Sequence, residues 1–359
     1  MAPWKDCLLG DIVRFGNGKS IKPGGEGIYP VYGSNGIIGG CDEFRHENGV
    51  IIGRVGAYCG SVVYCPSKFW ASDNTLIAYP ASESVDTNFL YYLLFDSKLS
   101  RYAGGAAQPL VTQIVLKQVA VRVPPLPIQR RIAGILSAYD ELIENSQRRI
   151  KILESMARAL YREWFVHFRF PGHESVPRIP SPLGPIPQGW EVTKLGDVAE
   201  LNYGKALKKE DRRDGEYPVY GSSGIVGTHD TALVEGPGII VGRKGNVGSV
   251  FWCDDDFFVI DTAYYVSSSL PLRFLFYVLP TLNFINSDAA VPGLSRNQAY
   301  SLDLLVPPAS LLNSFCELAN TFERQVNTFQ RQVQNLRRTR DLLLPRLLSG
   351  QIEVQDIDA

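Results

Sequence analysis

The sequence predicts an α+β protein built as an internal repeat: two strand-rich domains, each followed by a long helix, the two helices forming one antiparallel coiled-coil pair. Three observations predict it. A set of short motifs occurs twice in the same order. The stretches that carry them are dense in glycine, aromatic and β-branched residues. Each copy ends in a Pro-Pro pair that opens a long segment with apolar residues at steps of mostly four and three.

The repeat sets the organisation of the whole chain. Leu9-Gly10-Asp11 recurs as Leu195-Gly196-Asp197, and Gly18-Lys19 as Gly204-Lys205. Tyr29-Pro30-Val31-Tyr32-Gly33-Ser34 recurs as Tyr217-Pro218-Val219-Tyr220-Gly221-Ser222. Gly53-Arg54, Gly60-Ser61-Val62, Asp73 and Pro124-Pro125 return as Gly242-Arg243, Gly248-Ser249-Val250, Asp261 and Pro307-Pro308.

Residues 1–123 and 190–306 read as the two strand-rich domains. Val50-Ile51-Ile52, Ser61-Val62-Val63-Tyr64 and Ile239-Ile240-Val241 are short strands bounded by glycine turns. Short helices are expected over Asn88 to Leu99 and Leu272 to Leu279.

Residues 124–170 and 307–350 read as the long helices. The first has its seam at Ile128, Ile132, Ile135, Tyr139, Leu142, Ile150, Leu153, Leu160 and Trp164, with Ser146 and Ala157 as small fillers. The second runs through Phe315, Phe322, Val326, Phe329, Val333, Leu336, Leu343 and Leu347, with Arg340 at a seam position. Prolines open both, where a missing N–H does no harm. Phe170-Pro171-Gly172 and Ser349-Gly350 close them. About 40 residues at 1.5 Å each gives roughly 60 Å per helix. The proline-rich segment 171–189 is expected to be an extended connector, and residues 351–359 a tail.

Charged residues make up 20% and the formal net charge is −1, so any nucleic-acid contact needs local positive charge or a partner that supplies it. None of the six cysteines forms a C-x-x-C pair, which favours free thiols in a reducing compartment over zinc or disulfides. No signal pattern opens the chain and no apolar run reaches the ~20 residues of a membrane span, so a cytoplasmic protein without membrane contact is expected.

Catalytic patterns fail on inspection. Gly16-Asn17-Gly18-Lys19-Ser20 lacks the leading glycine of a phosphate-binding loop, since Val13 stands there, and Ala206 replaces the hydroxyl residue in the second copy. Valine precedes both Pro-Pro pairs, where an adenine methyltransferase motif needs Asn or Asp. Asp96-Ser97-Lys98 has no Pro-Asp before it to complete a nuclease motif. The four histidines show no ligand spacing, and Asp254-Asp255-Asp256 reads as an acidic turn.

At this point the residues resemble a known family. Val123-Pro124-Pro125-Leu126-Pro127-Ile128-Gln129, Trp164-Phe165-Val166-His167-Phe168 and Leu343-Leu344-Pro345-Arg346-Leu347-Leu348-Ser349-Gly350 are similar to the start, exit and distal end of the conserved helices in specificity subunits of type I restriction-modification enzymes. Tyr-Pro-Val-Tyr-Gly-Ser is similar to a motif of their target recognition domains. This chain departs in carrying Ile128 where the family has an acidic residue before glutamine, and Pro308-Ala309-Ser310-Leu311 lacks that glutamine.

The resemblance implies a non-catalytic subunit reading a bipartite site in double-stranded DNA, one half-site per recognition domain, with the helices as spacer. It implies two methyltransferase subunits docked on the helices, with motor-nuclease subunits joining to restrict. S-adenosylmethionine, ATP and Mg2+ belong to those partners, and no cofactor to this chain. Half-site centres about one helical turn apart, ~34 Å, follow from two similar domains facing one side of a duplex. Two readings stand beside it: a system in which one partner chain both methylates and cleaves, and a coiled-coil protein-binding scaffold without DNA specificity.

The repeat sorts candidate DNA contacts. Shared cations Lys19/Lys205 and Arg54/Arg243, with Ser34/Ser222, suit phosphate or scaffold duty. Tyr32/Tyr220 is open to DNA contact or to core packing. Differing pairs, where two half-sites can be told apart, are Asn35/Ser223, Val55/Lys244, Ala57/Asn246 and Gln113/Arg296. The last pair lies near the Pro109/Pro292 loop, where it could instead cap or pack. The likeness of the copies also predicts half-sites that share bases.

Overall fold

The computed structural model describes residues 4–22, 27–105, 108–284 and 293–354. The last residues of the expected tail, 355–359, and Pro292 lie outside them. The chain divides into two compact units, residues 1–147 with 331–359, and residues 148–330. Each long helix is therefore shared out between the units, so the helices do not form domains separate from the heads.

In unit 1 the strands order as Val13–Asn17, Thr75–Pro80, His46–Gly53, Val62–Ala71, Tyr29–Gly33 and Gly36–Cys41, one six-stranded sheet. Every pairing is antiparallel except Tyr29–Gly33 with Val62–Ala71. A separate ladder joins Lys5–Leu8 to Ala120–Val123. The expected helix is Thr87–Asp96, with Phe89 and Leu90 fully buried against the sheet. Asp86 caps it, its Oδ1 accepting from the N–H groups of Asn88 and Phe89.

Unit 2 repeats the plan with a four-stranded sheet, Ala199–Tyr203, Ala263–Ser268, Gly238–Gly242 and Val250–Cys253, and a three-stranded one, Gly224–His229, Tyr217–Gly221 and Phe258–Val259. Glu191–Lys194 pairs with Asp303–Val306 as the counterpart of the terminal ladder. The helix is Leu272–Val278, burying Phe274 and Leu275 at the positions of Phe89 and Leu90.

The long helices are Leu126–Tyr161, continued by a π-helical turn Arg162–Val166, and Ala309–Leu348. Pairing is antiparallel in each unit. In unit 1, Ile132 and Leu136 share a core with Leu344, Leu347 and Leu348, and Asp140 meets Arg340. In unit 2, Arg149 lies over Phe329 and Tyr161 meets Phe315. The second helix keeps the expected seam. The first deviates by one residue early on: Leu142 is exposed, while Leu136 and Ile143 are buried. The 3.6-residue turn drifts against a strict heptad, and the head selects which neighbour it covers.

Residues 171–189 are not an extended connector. Arg178–Ile179 pairs with Ile186–Pro187 as a small hairpin, and Ile186 is buried with Phe170 and Trp190 in the core of unit 2. The π turn places Trp164 and Phe165 in the same core. Phe165 packs edge-on to Phe315 at 4.9 Å and to Phe274 at 5.1 Å.

Candidate nucleic-acid interface

In each unit the repeated motifs meet at one place. In unit 1, the turn after Tyr29–Gly33 carries Ser34 and Asn35, and Gly36 closes it at φ +101°, a conformation open to glycine. Ser34 Oγ donates to the Asn74 carbonyl at 2.7 Å, and its own carbonyl accepts from Ser61 Oγ at 2.7 Å. The Arg54 N–H also reaches the Asn74 carbonyl, and Val111 N–H bonds the Arg54 carbonyl. Gln113, first residue of the Gln113–Lys117 helix, donates from Nε2 to Asn17 Oδ1 at 2.8 Å.

Unit 2 builds the same junction. Ser222 N–H donates to Thr262 Oγ1 at 3.4 Å, and the Ser222 carbonyl accepts from Ser249 Oγ at 2.6 Å. The N–H groups of Arg243 and Lys244 both bond the Thr262 carbonyl, and Leu294 N–H bonds the Arg243 carbonyl. Asn246 Nδ2 donates to Ser223 Oγ at 3.2 Å. Gly224 closes the turn at φ +96°.

Gly18 and Gly204, which precede the repeated lysines, sit hard against backbone. A Cβ at Gly18 would sit 1.8 Å from the Ser72 carbonyl oxygen, and one at Gly204 would sit 2.2 Å from that of Ile260. The glycines let the chain pass its own backbone. Lys19 and Lys205, next in sequence, are both exposed.

Two candidate residues move into the core. Tyr32 and Tyr220 are only 7% and 6% exposed and pack edge-on to Phe69 and Phe257. Burial, then hydrogen bonding to Cys65 and Cys253 respectively, raises both phenol pKa values. They anchor the turn and are withdrawn from the contact set. Ser34 and Ser222 are tied up in holding the turn, while Asn35 and Ser223 project from it, exposed.

The differing side chains assemble into two chemistries. In unit 2, Tyr203 is exposed, and the guanidinium carbons of Arg296 and Arg243 lie 4.4 and 4.8 Å from its ring centroid. Arg243 Nη1 donates to the Asp261 carbonyl at 3.0 Å, and Arg296 Nη1 to the Leu201 carbonyl at 3.3 Å. In unit 1, Asn17 holds the position of Tyr203, and with Gln113 it forms a neutral amide pair. Lys205, Arg243, Lys244 and Arg296 make the unit 2 cluster the more cationic, although Asp73 and Asp261 put one exposed carboxylate in each.

Asn17 and Tyr203 were missed in the sequence, although each directly precedes the repeated Gly-Lys pair and so stands at an aligned, differing position. Also missed were the exposed apolar residues just past the turn, Ile37 and Ile38 in one copy, Ile225 and Val226 in the other. Among the described residues no group of three His, Cys, Asp or Glu is placed to hold a metal. Among them too, no helix is long and apolar enough to cross a membrane.

One surface design, carried twice with different side chains, defines a two-headed recognition protein. Comparison with known proteins makes the class specific: the model of the type I restriction modification DNA specificity domain matches residues 1–155 and 187–299, and the chain belongs to that family. Among curated proteins it is similar to the type I restriction enzyme MjaIX specificity subunit of Methanocaldococcus jannaschii, 26% identical over 77% of this chain and 71% of the relative. The MjaVIII specificity subunit of the same organism is 27% identical over 57% of this chain and 51% of its own length. Among solved structures, the type I restriction-modification S subunit from M. genitalium has the same fold. Its TM-score is 0.69 at 19% identity, covering 98% of this chain and 97% of that one.

Proposed function

We propose that the chain is the non-catalytic DNA-reading subunit of a type I restriction-modification complex, each unit reading one half of a split site. The observation that carries this reading is the repeated cluster. Backbone and turn geometry are copied between the units along with the shared cations, while the pairs Asn17/Tyr203, Gln113/Arg296 and Asn35/Ser223 displayed there differ. A scaffold with two equivalent protein-binding heads has no need to vary them. In this reading Lys19, Lys205 and Arg54 contact phosphate, and Asn35, Ser223, Gln113, Arg243, Lys244, Asn246 and Arg296 face base edges or their flanking phosphates. Two methyltransferase subunits and the motor-nuclease subunits bring S-adenosylmethionine, ATP and Mg2+, and much of the phosphate neutralisation that a net charge of −1 leaves wanting. The site of action is the cytoplasm, where the DNA is.

The test is methylation mapping. The chain is expressed with its neighbouring methyltransferase in a methylation-free host, and modified adenine is located across the genome. A split motif with a fixed gap, lost when the chain is omitted, is the expected result. The same motif without this chain, or none despite an active complex, overturns the reading in favour of the scaffold.

A further inference from the structure

We infer that the two units discriminate at the same relative base pair of their half-sites with opposite preference: unit 1 selects adenine through the Gln113–Asn17 amide pair, and unit 2 selects guanine through Arg296 held on Tyr203. This inference rests on the DNA-reading function proposed above and names the residues that set its specificity.

The argument begins with what the hydrogen bond between Gln113 and Asn17 does to an amide. Gln113 Nε2 gives one proton to Asn17 Oδ1. An amide side chain recognises adenine by accepting from N6 and donating to N7, which needs the carbonyl oxygen and the N–H on the same side of the planar group. An amide nitrogen carries two N–H groups, so with one given to Asn17 a second remains to complete that edge. The bond to Asn17 Oδ1 engages the Nε2 end of Gln113, which leaves the Oε1 end as the acceptor for the base. Adenine is then favoured over guanine, whose O6 and N7 are both acceptors and oppose the Gln113 carbonyl.

Unit 2 replaces every member of this arrangement in the direction that reverses the preference. Asn17 becomes Tyr203, which offers a ring face where the amide offered an acceptor. Gln113 becomes Arg296, whose guanidinium lies 4.4 Å from that ring centroid and is tethered through Nη1 to the Leu201 carbonyl at 3.3 Å. Arginine presents donors alone, and its bidentate partner among the bases is the O6/N7 edge of guanine. Arg54 and Arg243 are shared, but only Arg243 is drawn into the cluster, 4.8 Å from Tyr203 and bonded to the Asp261 carbonyl. Arg296 both differs between the copies and is held in place, by the Tyr203 ring and the Leu201 carbonyl. Both side chains open a five-residue helix, Gln113–Lys117 and Arg296–Tyr300, so the backbone beneath them is equivalent.

The experiment uses the assembled complex of this chain with its methyltransferase. The wild-type motif comes first, and a motif that does not depend on the chain fails the DNA-reading function itself, separately from this inference. Given a chain-dependent motif, competition binding is measured with duplexes carrying each base pair at every specified position. The paired change Tyr203→Asn with Arg296→Gln is expected to switch one position of one half-site from guanine to adenine. The change Gln113→Arg is expected to remove the adenine preference at one position of the other half. Each preference should move by roughly 5- to 150-fold, the range for one bidentate contact. Bases of the untouched half stay required, which verifies folding within the same data. Arg296→Lys keeps the charge, loses the fork, and should lower guanine discrimination while sparing overall binding. Unchanged preferences in both variants overturn the inference. So does a loss that is uniform over all base pairs, which assigns these residues to phosphate or to structure.

Discussion

The junction between head and helix is built twice, and the two versions share almost no side-chain chemistry. In unit 1 the start of the Thr87–Asp96 helix is held by Gln129. Its Oε1 accepts from the Asp86 N–H at 2.9 Å, and its Nε2 donates to the carbonyls of Ser84 and Pro124 at 3.0 and 2.9 Å. One turn further on, Tyr92 Oη donates to Asp140 at 2.6 Å, and Asp140 also receives Arg340. In unit 2 the residue at the place of Asp86 is Pro271, which has no N–H to satisfy, and the residue at the place of Gln129 is Leu312, 4% exposed. The missing glutamine of the second copy is thus matched by a missing donor. Glu323, as far past its Pro-Pro pair as Asp140, faces Arg273, whose Nη1 lies 3.4 Å from Glu323 Oε2. Arg273 is 7% exposed, stacks 3.5 Å from the Trp252 ring centroid, and donates from Nε to Asn320 at 3.0 Å. Arg273 Nη1 meets Glu323 as an ion pair without a hydrogen bond, so what the two versions share is a buried polar side chain set against a polar or charged neighbour, and not the residues that supply it.

Breaking the charged version should cost most. Arg273→Met leaves Glu323 half-buried without its cation, and removing one partner of a buried pair costs about 3 kcal/mol or more. The double change Arg273→Met with Glu323→Leu removes the two more buried charges, leaves only the more exposed Asp254 without its cation, and should recover most of that loss in urea unfolding. A double variant as unstable as the single one would mean that Arg273 acts through packing on Trp252. The neutral version comes next. Gln129→Leu strands the Asp86 N–H and two carbonyls, for about 2 kcal/mol. Leu312→Gln in unit 2 is expected to destabilise by a similar amount, because it buries an amide where Pro271 supplies no donor. If Leu312→Gln is tolerated, the matching of glutamine to donor is coincidental.

How much of this was legible in the sequence depends on whether the signal was periodic or spatial. The repeat, the strand-rich heads and the second helix's seam were readable because backbone need repeats at fixed spacing. The one-residue deviation at Leu136 and Ile143 was not, because both neighbours are apolar and only the head decides which is covered. The hairpin within residues 171–189 was hidden by its prolines, which read as breakers although Ile186 and Trp190 belong to the core. At the candidate site, differing pairs picked out Gln113 and Arg296, yet their neighbours Asn17 and Tyr203 required a contact between residues far apart in the chain. Tyr32 and Tyr220 went astray for the opposite reason: a shared aromatic beside a glycine turn fits core and surface equally well until burial is known.

Smaller effects sharpen the comparison. Tyr92→Phe keeps the ring and removes one hydrogen bond to Asp140, which retains Arg340, so unit 1 should lose about 1 kcal/mol. Acidification should separate the units with no substitution at all. His46 in unit 1 is half-buried, its Nδ1 3.0 Å from Tyr79 Oη, and burial, then the charge of Arg45, holds its pKa below the ordinary 6.5. The unfolded chain then binds the proton first, so the stability from neutral His46 is complete above about 6.5 and is lost as pH falls toward the lower folded value. Glu323 in unit 2 is shifted the other way. Burial raises its carboxyl above the ordinary 4.5 even with Arg273 opposing, so the folded state binds the proton first and unit 2 gains as pH falls through that raised value. Amide hydrogen exchange at pH 7 and pH 5, corrected for the intrinsic rate, should show protection falling in strands His46–Gly53 and Val62–Ala71 while the Leu272–Val278 helix holds. His46→Phe keeps an aromatic ring beside Phe69 and should abolish the loss in unit 1. Equal loss in both units, or a loss that survives His46→Phe, would show that the acid sensitivity lies in the helices the two units share, and not in the heads.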